Sequence, residues 1–501
     1  MSANTGVIIG ILCYFAVMIL VGYLMKSKNK GAEDFLVGGR SFGMFFNTGT
    51  LVACWLGGAI ILGFPGTLLS CGIWDSNAQW GVVVSIGGVS CLAVAGAFYM
   101  RRLWQLKLLS LGDFFYIRYG RDAGIISTIL MCFTFTIWVA VQVIAFAKVG
   151  SSLMGLSLNL CVIISMAVIC TYTILGGLWA VCLTDIMQVF IVIISVLILT
   201  PLAISMAGGW DAFINAVPKE KLNFFPEETL SLQAWLPWIG AWVIIGLGSV
   251  TSPDLMQRAF SAKTGRTARN SAFMACFIVA ILFLIVALLS FASMQLMNAG
   301  LFDPSLINED PELLIPVVVQ KLMPLPLVVL FIGAVLAAVM SAAATANIAL
   351  SGVIAKNLIK DVFVKDMSSR ALMQTTRIVI SVVGVLAAYI SIALPSAFLL
   401  TSLGFDLILS CLFMPLTLGL YWKKTNGYGA IAGMLAGAVV RIIGSGLVNG
   451  FSLEGIGSPT DIWYVFTLGG PLASGIAIVV VSLLTQKRDR PIELNFEPDP
   501  S

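Results

Sequence analysis

Apolar runs of about 20 residues or more, the length a helix needs to cross a bilayer, recur thirteen times along the chain. They lie near residues 6–25, 42–70, 79–100, 123–150, 156–175, 179–207, 234–257, 269–296, 325–355, 372–394, 398–421, 428–448 and 462–485. The polar stretches between them are short, so no soluble domain is expected. The pattern predicts an all-α polytopic membrane protein with one transmembrane domain over 1–485 and a short polar tail, 486–501. The first run has no basic segment before it and passes into KSKNK without a small-residue cleavage site, so it reads as a span and not as a cleavable signal.

Composition sharpens this reading. The chain is 59% hydrophobic and 10% charged, with a mean hydropathy of +1.01, whereas soluble domains carry about 25% charged residues. A nucleic-acid binder, a disordered chain and an ordinary cytosolic enzyme are excluded. There is no histidine, which removes imidazole acid–base chemistry and His-ligated zinc. No GxSxG elbow and no G-x-x-x-x-G-K-[ST] loop occurs, so neither an intramembrane hydrolase nor an ATP-driven pump is expected. The ten cysteines are scattered without a CxxC pair and read as small buried hydrophobes. Most of the 28 Lys and Arg residues fall in every second loop, from Lys26, Lys28, Lys30 and Arg40 through Arg101, Arg102, Lys107, Arg118 and Arg121 to Lys487, Arg488 and Arg490. Arg258, Lys263, Arg266 and Arg269 make up one of these basic loops. Because cytoplasmic loops collect positive charge, the N-terminus is expected outside and the C-terminus in the cytoplasm of a cell membrane.

Interruptions of the apolar runs carry the functional information. Gly57, Gly58, Gly63, Pro65 and Gly66 break the second run; Gly246, Gly248, Ser249, Thr251, Ser252, Pro253 and Asp254 break the seventh. Glycines also allow close helix packing. Two broken helices five spans apart fit a five-plus-five inverted repeat, over about 42–207 and 234–421, with a binding site at mid-membrane. Asp185 and Asp406 sit inside apolar runs and need partners; Arg441 is a candidate for pairing with a buried carboxylate. Asp254 follows a Ser-Pro helix start and reads as a cap. In the ninth run Ala338, Ser341, Ala342 and Thr345 share one helix face, suited to tight packing or to a hard cation that prefers oxygen ligands.

The stretches FLVGGRS, YTILGGLWAVCLTDIMQ, AAVMSAAATA and YGAIAGMLAGAVVR resemble the sodium:solute symporters, whose members include proline, sialic acid, sugar and high-affinity choline transporters. The resemblance covers nearly the whole chain. It implies a LeuT-type fold, with one helix before the repeat core and two after it, and sodium-driven transport of a small solute without ATP or an enzyme cofactor. It implies a sodium ion held by the carbonyls of Ala53, Leu56 and Ala338 and the Ser341 hydroxyl. Here the sequence departs from the family, because Ala342 replaces a second hydroxyl. A second sodium site would correspond to Asp185, Ser341 and Thr345, with Ala344 at another hydroxyl position. Trp55 and Trp138 fall where choline transporters have cation-binding tryptophans, Asp406 matches an acidic residue, and Trp80 is placed to line the same pocket. Ser252 and Val84 stand where a tryptophan and a tyrosine are expected. Tryptophans also form interfacial belts and cores in membrane proteins. Proton coupling through Asp185 or Asp406, and a leak or transport-deficient sensor on the same scaffold, are the alternatives.

Overall fold

A computed structural model describes residues 3–57, 64–65, 68, 81–154, 156–216, 232–301, 303, 305, 313–394, 404–449 and 461–499. In hydrocarbon every backbone N–H and C=O must find its partner within the protein, and a helix does this locally. The described chain is accordingly helical. In chain order the long elements are α1 (Ala3–Met25), α2 (Met44–Trp55), α3 (Gly81–Val94) and α4 (Arg121–Met154). A 49-residue stretch, Leu158–Met206, follows. At 1.5 Å per residue a straight helix of that length would extend about 70 Å, more than twice a bilayer core. Gly177, at φ 57° and ψ −152°, breaks it into α5 (158–176) and α6 (178–206). Only glycine holds that conformation without strain, and a Cβ there would stand 2.6 Å from the Phe35 ring.

The seventh element is broken too. α7a (Leu232–Gly246) leads through a single turn, Gly248–Thr251, to extended Ser252 and then to α7b (Pro253–Ser261). The path bends by 46°. Ser252 is the N-cap and Pro253 occupies the first turn, where its missing N–H costs nothing. α8 (Gly265–Asn298), α9 (Leu325–Val353), α10 (Ser369–Ala393), α11 (Gly404–Tyr421), α12 (Gly427–Asn449) and α13 (Asp461–Thr485) complete the series. Among the described residues eight helices are long and apolar enough to cross a membrane, nine if the bent pair is one span.

α9 lies at the centre, buried along its whole length from Ala334 to Val353, and packs on α4, α5 and α6. Peripheral helices are apolar on both sides. On α10 the inward stripe is Leu372, Thr376, Val379, Val383 and Ala387, whereas Ile378, Val382, Val385 and Tyr389 face outward and exposed. An outward stripe of that kind is a liability in water and a requirement in lipid. The described cysteines are all free.

At the end of the molecule that carries the basic loops, Arg118 gathers the chain. Its guanidinium donates to the carbonyls of Gly419 (2.7 Å), Ile492 (2.5 Å) and Trp422 (3.1 Å) and to Thr425 Oγ1 (2.6 Å). The tail then crosses to the ends of other helices. Asp499 accepts from Arg101 Nε at 2.7 Å and from the Gly265 amide at 2.9 Å. Replacing Arg118 by alanine removes the donor to the buried Gly419 carbonyl and Thr425 hydroxyl and to the part-buried carbonyls of Ile492 and Trp422, at a cost on the order of 1–3 kcal/mol. Arg101 is 41% exposed, and exposed ion pairs contribute about 0–1 kcal/mol. Arg118→Ala is therefore expected to lower the thermal midpoint of the detergent-solubilised protein clearly more than Arg101→Ala, as read by tryptophan fluorescence.

Candidate functional site

Two groups of side chains meet at the helix breaks. The first lies between α6, α7b and α9. Asp185 and Arg258 are both fully buried, and Arg258 Nη2 donates to Asp185 Oδ2 at 3.0 Å. The same nitrogen donates to Thr345 Oγ1 at 2.6 Å, and Nη1 reaches Gln257 Oε1 at 3.3 Å. The Ser341 hydroxyl donates to the other Asp185 oxygen. Asp185, Ser341 and Thr345, the set that the resemblance implies for a second sodium, thus come together around a guanidinium. Arg258, grouped above with a basic loop, is a correction to that reading. Pro253 starts α7b early enough to carry residue 258 inside the protein, because an arginine at that depth requires a carboxylate partner and Asp185 supplies it.

α2 ends beside this network. The Leu56 amide closes the helix on Val52 (3.1 Å) and Ala53 (3.2 Å), and the chain leaves helical geometry at Leu56. Gly57 lies against α9 at Ala342 and against Gln142 of α4. Ala53, Leu56, Ala338 and Ser341 are all buried where α2 packs on α9. The Ser341 proton points to Asp185, which leaves the lone pairs of the hydroxyl free to accept.

The second group is aromatic. Trp55, at the end of α2, and Trp138, on α4, pack against one apolar cluster formed by Val243, Ile244, Ile245, Phe405 and Leu409. Trp138 stands edge-on to Phe405, with centroids 4.7 Å apart and planes at 72°. The Trp55 ring rests on Gly88 of α3, where a Cβ would come within 2.7 Å of it. The buried Trp55 Nε1 has no hydrogen-bond partner. Gly248, in the break of α7, faces the Phe405 carbonyl and Leu409, and Ser252 is buried a turn further on. Sequence reasoning missed Phe405 and also Trp242, whose Nε1 donates to Ser90 Oγ at 3.0 Å. The only signals were the glycine beside Phe405 and the aromatic content of α7a. Trp80 lies outside the described residues.

Asp406 is engaged elsewhere. Its Oδ2 is 2.5 Å from Arg441 Nε and accepts from Thr467 Oγ1 at 3.1 Å. Arg441 therefore pairs with a buried carboxylate of α11, and the Asp406 charge is balanced before any ligand arrives.

A model of the sodium:solute symporter family matches residues 35–437. The human high affinity choline transporter 1 is 27% identical over 448 residues, covering 87% of this chain and 76% of that protein. The osmoregulated proline transporter OpuE of Bacillus subtilis is 24% identical over 495 residues, covering 96% and 95%. In structure, a substrate-bound, outward-open Na+-coupled sialic acid symporter matches with a TM-score of 0.83 at 18% identity, covering 99% of this chain and 100% of its own. The fold is LeuT-type, and the protein is a membrane transporter and not an enzyme. It couples sodium to the movement of a small solute, and the chain belongs to the sodium:solute symporter family.

Proposed function

We propose that the solute is a quaternary amine of the choline type and that one sodium ion accompanies it in each cycle. One observation carries the solute assignment: Trp55 and Trp138, from two different helices, share one apolar cluster with Phe405 beside the break of α7. A quaternary ammonium has no N–H to donate, so ring faces bind it, each contributing about 0.5–2 kcal/mol. A carboxylate is not needed for this, which agrees with Asp406 being spent on Arg441. The N-terminus of α7b carries the positive end of a helix dipole, and Asp254 in its first turn offsets it. Ser252 and Trp80 would complete the lining. The choline relatives support the reading; the near full-length match to a proline transporter makes proline the competing solute.

The ion count rests on Arg258. A sodium ion beside the guanidinium would repel it by about 4 kcal/mol at 4 Å separation and an effective dielectric of about 20. The locus of Asp185, Ser341 and Thr345 is thus filled by a tethered cation, and the transported sodium belongs to Ala53, Leu56, Ala338 and Ser341. The remaining architecture follows the family plan. Thirteen helices cross the plasma membrane, with the N-terminus outside and the tail 486–501 in the cytoplasm. The repeats about 42–207 and 234–421 form the core of a single domain over 1–485. α2, α3, α7 and α8 rock as a bundle against the rest.

Radiolabelled choline is expected to accumulate in proteoliposomes under an inward sodium gradient, and Trp55→Ala and Trp138→Ala should each weaken uptake about 2- to 30-fold. Accumulation of proline in its place would retain the symporter and reject the amine. Sodium flux with no solute dependence would indicate a leak. For the ion pair, Arg258→Met and Asp185→Asn should each cost about 3–5 kcal/mol of stability by leaving a buried charge alone. The double variant should recover most of that loss, as followed by the thermal midpoint.

A further inference from the structure

The sodium site between α2 and α9 is one oxygen short. Ala53, Leu56 and Ala338 offer carbonyls and Ser341 a hydroxyl, but the next position is the methyl of Ala342. Facing that methyl from α4 is Gln142, whose side chain is buried at 1% exposure. Its Oε1 has no hydrogen-bond partner. A Cβ built on Gly57, in the break of α2, would stand 3.2 Å from Gln142 Oε1 and 3.3 Å from the Ala342 methyl. The amide oxygen, the broken backbone and the methyl therefore surround one point. A buried amide oxygen without a donor is costly to keep and is rare in folded proteins. A hard cation with oxygen ligands would compensate it.

We propose that Gln142 supplies, through Oε1, the ligand that Ala342 lacks, and that it is a sodium-binding residue of this chain. The inference rests on the sodium site placed above between α2 and α9. A neutral amide suits the position. It adds an oxygen dipole without adding charge beside the balanced Arg258–Asp185 pair. It also ties the ion to the solute, because Gln142 and Trp138 are four residues apart on α4 and share one helix face. Holding Gln142 on the ion fixes the face that presents Trp138 to the aromatic pocket.

The test is equilibrium binding of 22Na+ to the purified full-length protein in detergent, with folding checked by thermal midpoint in potassium buffer. Gln142→Met keeps the length and packing and removes the oxygen; it is expected to weaken sodium binding about 10-fold or more. Adding Ala342→Ser to Gln142→Met returns a hydroxyl to the site and should restore most of the affinity. Gln142→Glu, which keeps an oxygen at the same reach and adds charge, should bind sodium at least as tightly as the parent. Unchanged affinity in Gln142→Met, while Ser341→Ala weakens binding, overturns the inference and leaves the site. Loss of affinity in Gln142→Glu as severe as in Gln142→Met also overturns it, since an oxygen at that position would then do nothing. If Ser341→Ala and Gln142→Met are both without effect, the sodium site itself is misplaced and the inference falls with it.

Discussion

A backbone at membrane depth has no water to bind, and this constraint decides where the molecule can carry function. Helices satisfy every amide internally and are chemically silent on their lipid faces. The three departures from helical geometry at Leu56, Gly177 and Gly248–Ser252 are therefore described places in α2 and α5–α7 where main-chain groups are released. Gly177 reverses a chain that would otherwise overrun the bilayer. Of the other two, the end of α2 lies against α9 and the break of α7 against α11, and they expose carbonyls and a helix N-terminus to the interior. Both candidate binding groups form there. Site and fold share one cause: the breaks exist only because the protein around them takes over the hydrogen bonding that lipid cannot supply.

The same low-polarity surroundings govern the charges. Arg258 with Asp185, and Arg441 with Asp406, form two buried pairs in which each member makes the other tolerable. Neither pair leaves a spare carboxylate to attract a cationic solute. For the quaternary amine proposed above, recognition then falls to aromatic faces, and for sodium to neutral oxygens. In that proposal the division keeps the two cations apart, since the ion site contributes no charge that the solute could compete for.

Much of the frame was legible in the sequence because lipid enforces a simple code. The apolar runs, the Gly-Gly break before Leu178 and the paired interruptions of the second and seventh runs all follow from the need to span or to stop spanning. Asp185 was legible as a buried charge in need of a partner, and Ser341 and Thr345 as one helix face, but only the resemblance to the symporter family put the three together. What fills the cluster was not legible. Arg258 lies 73 residues from Asp185 and 87 from Thr345, and it stands first in a row of basic residues that otherwise belong to a loop. Only the bend at Ser252 and the nine residues of α7b carry it inward, and no local pattern distinguishes it from Lys263 or Arg266. Gln142 was equally hidden, although it is the one amide in its apolar run. A neutral polar residue there signals tolerance until its neighbours are known. Phe405 drew no notice beside the louder Asp406, yet the ring meets Trp138 while the carboxylate meets Arg441.

Coupling follows from how these groups are distributed over the moving parts. α7b has Ser252 at its N-cap, beside the aromatic cluster, and Arg258 near its other end, on Asp185 and Thr345. A nine-residue helix is about 14 Å long, too short to bend appreciably, so a shift at the solute end is delivered to the ion pair. α2 does the same with Trp55 and Leu56, which are adjacent in sequence yet belong to the aromatic and the ion group respectively. α4 carries Trp138 and Gln142 one turn apart. α2, α4 and α7 thus each reach both the pocket and the cation cluster or its border. A ligand that repositions one group therefore changes the fit of the other, without any element connecting them beyond the rigid helices already present. In the sodium site proposed here, a solute bound without its ion would leave the α2 carbonyls and the Gln142 oxygen unpaired in a dry interior, and that cost would make the two move together.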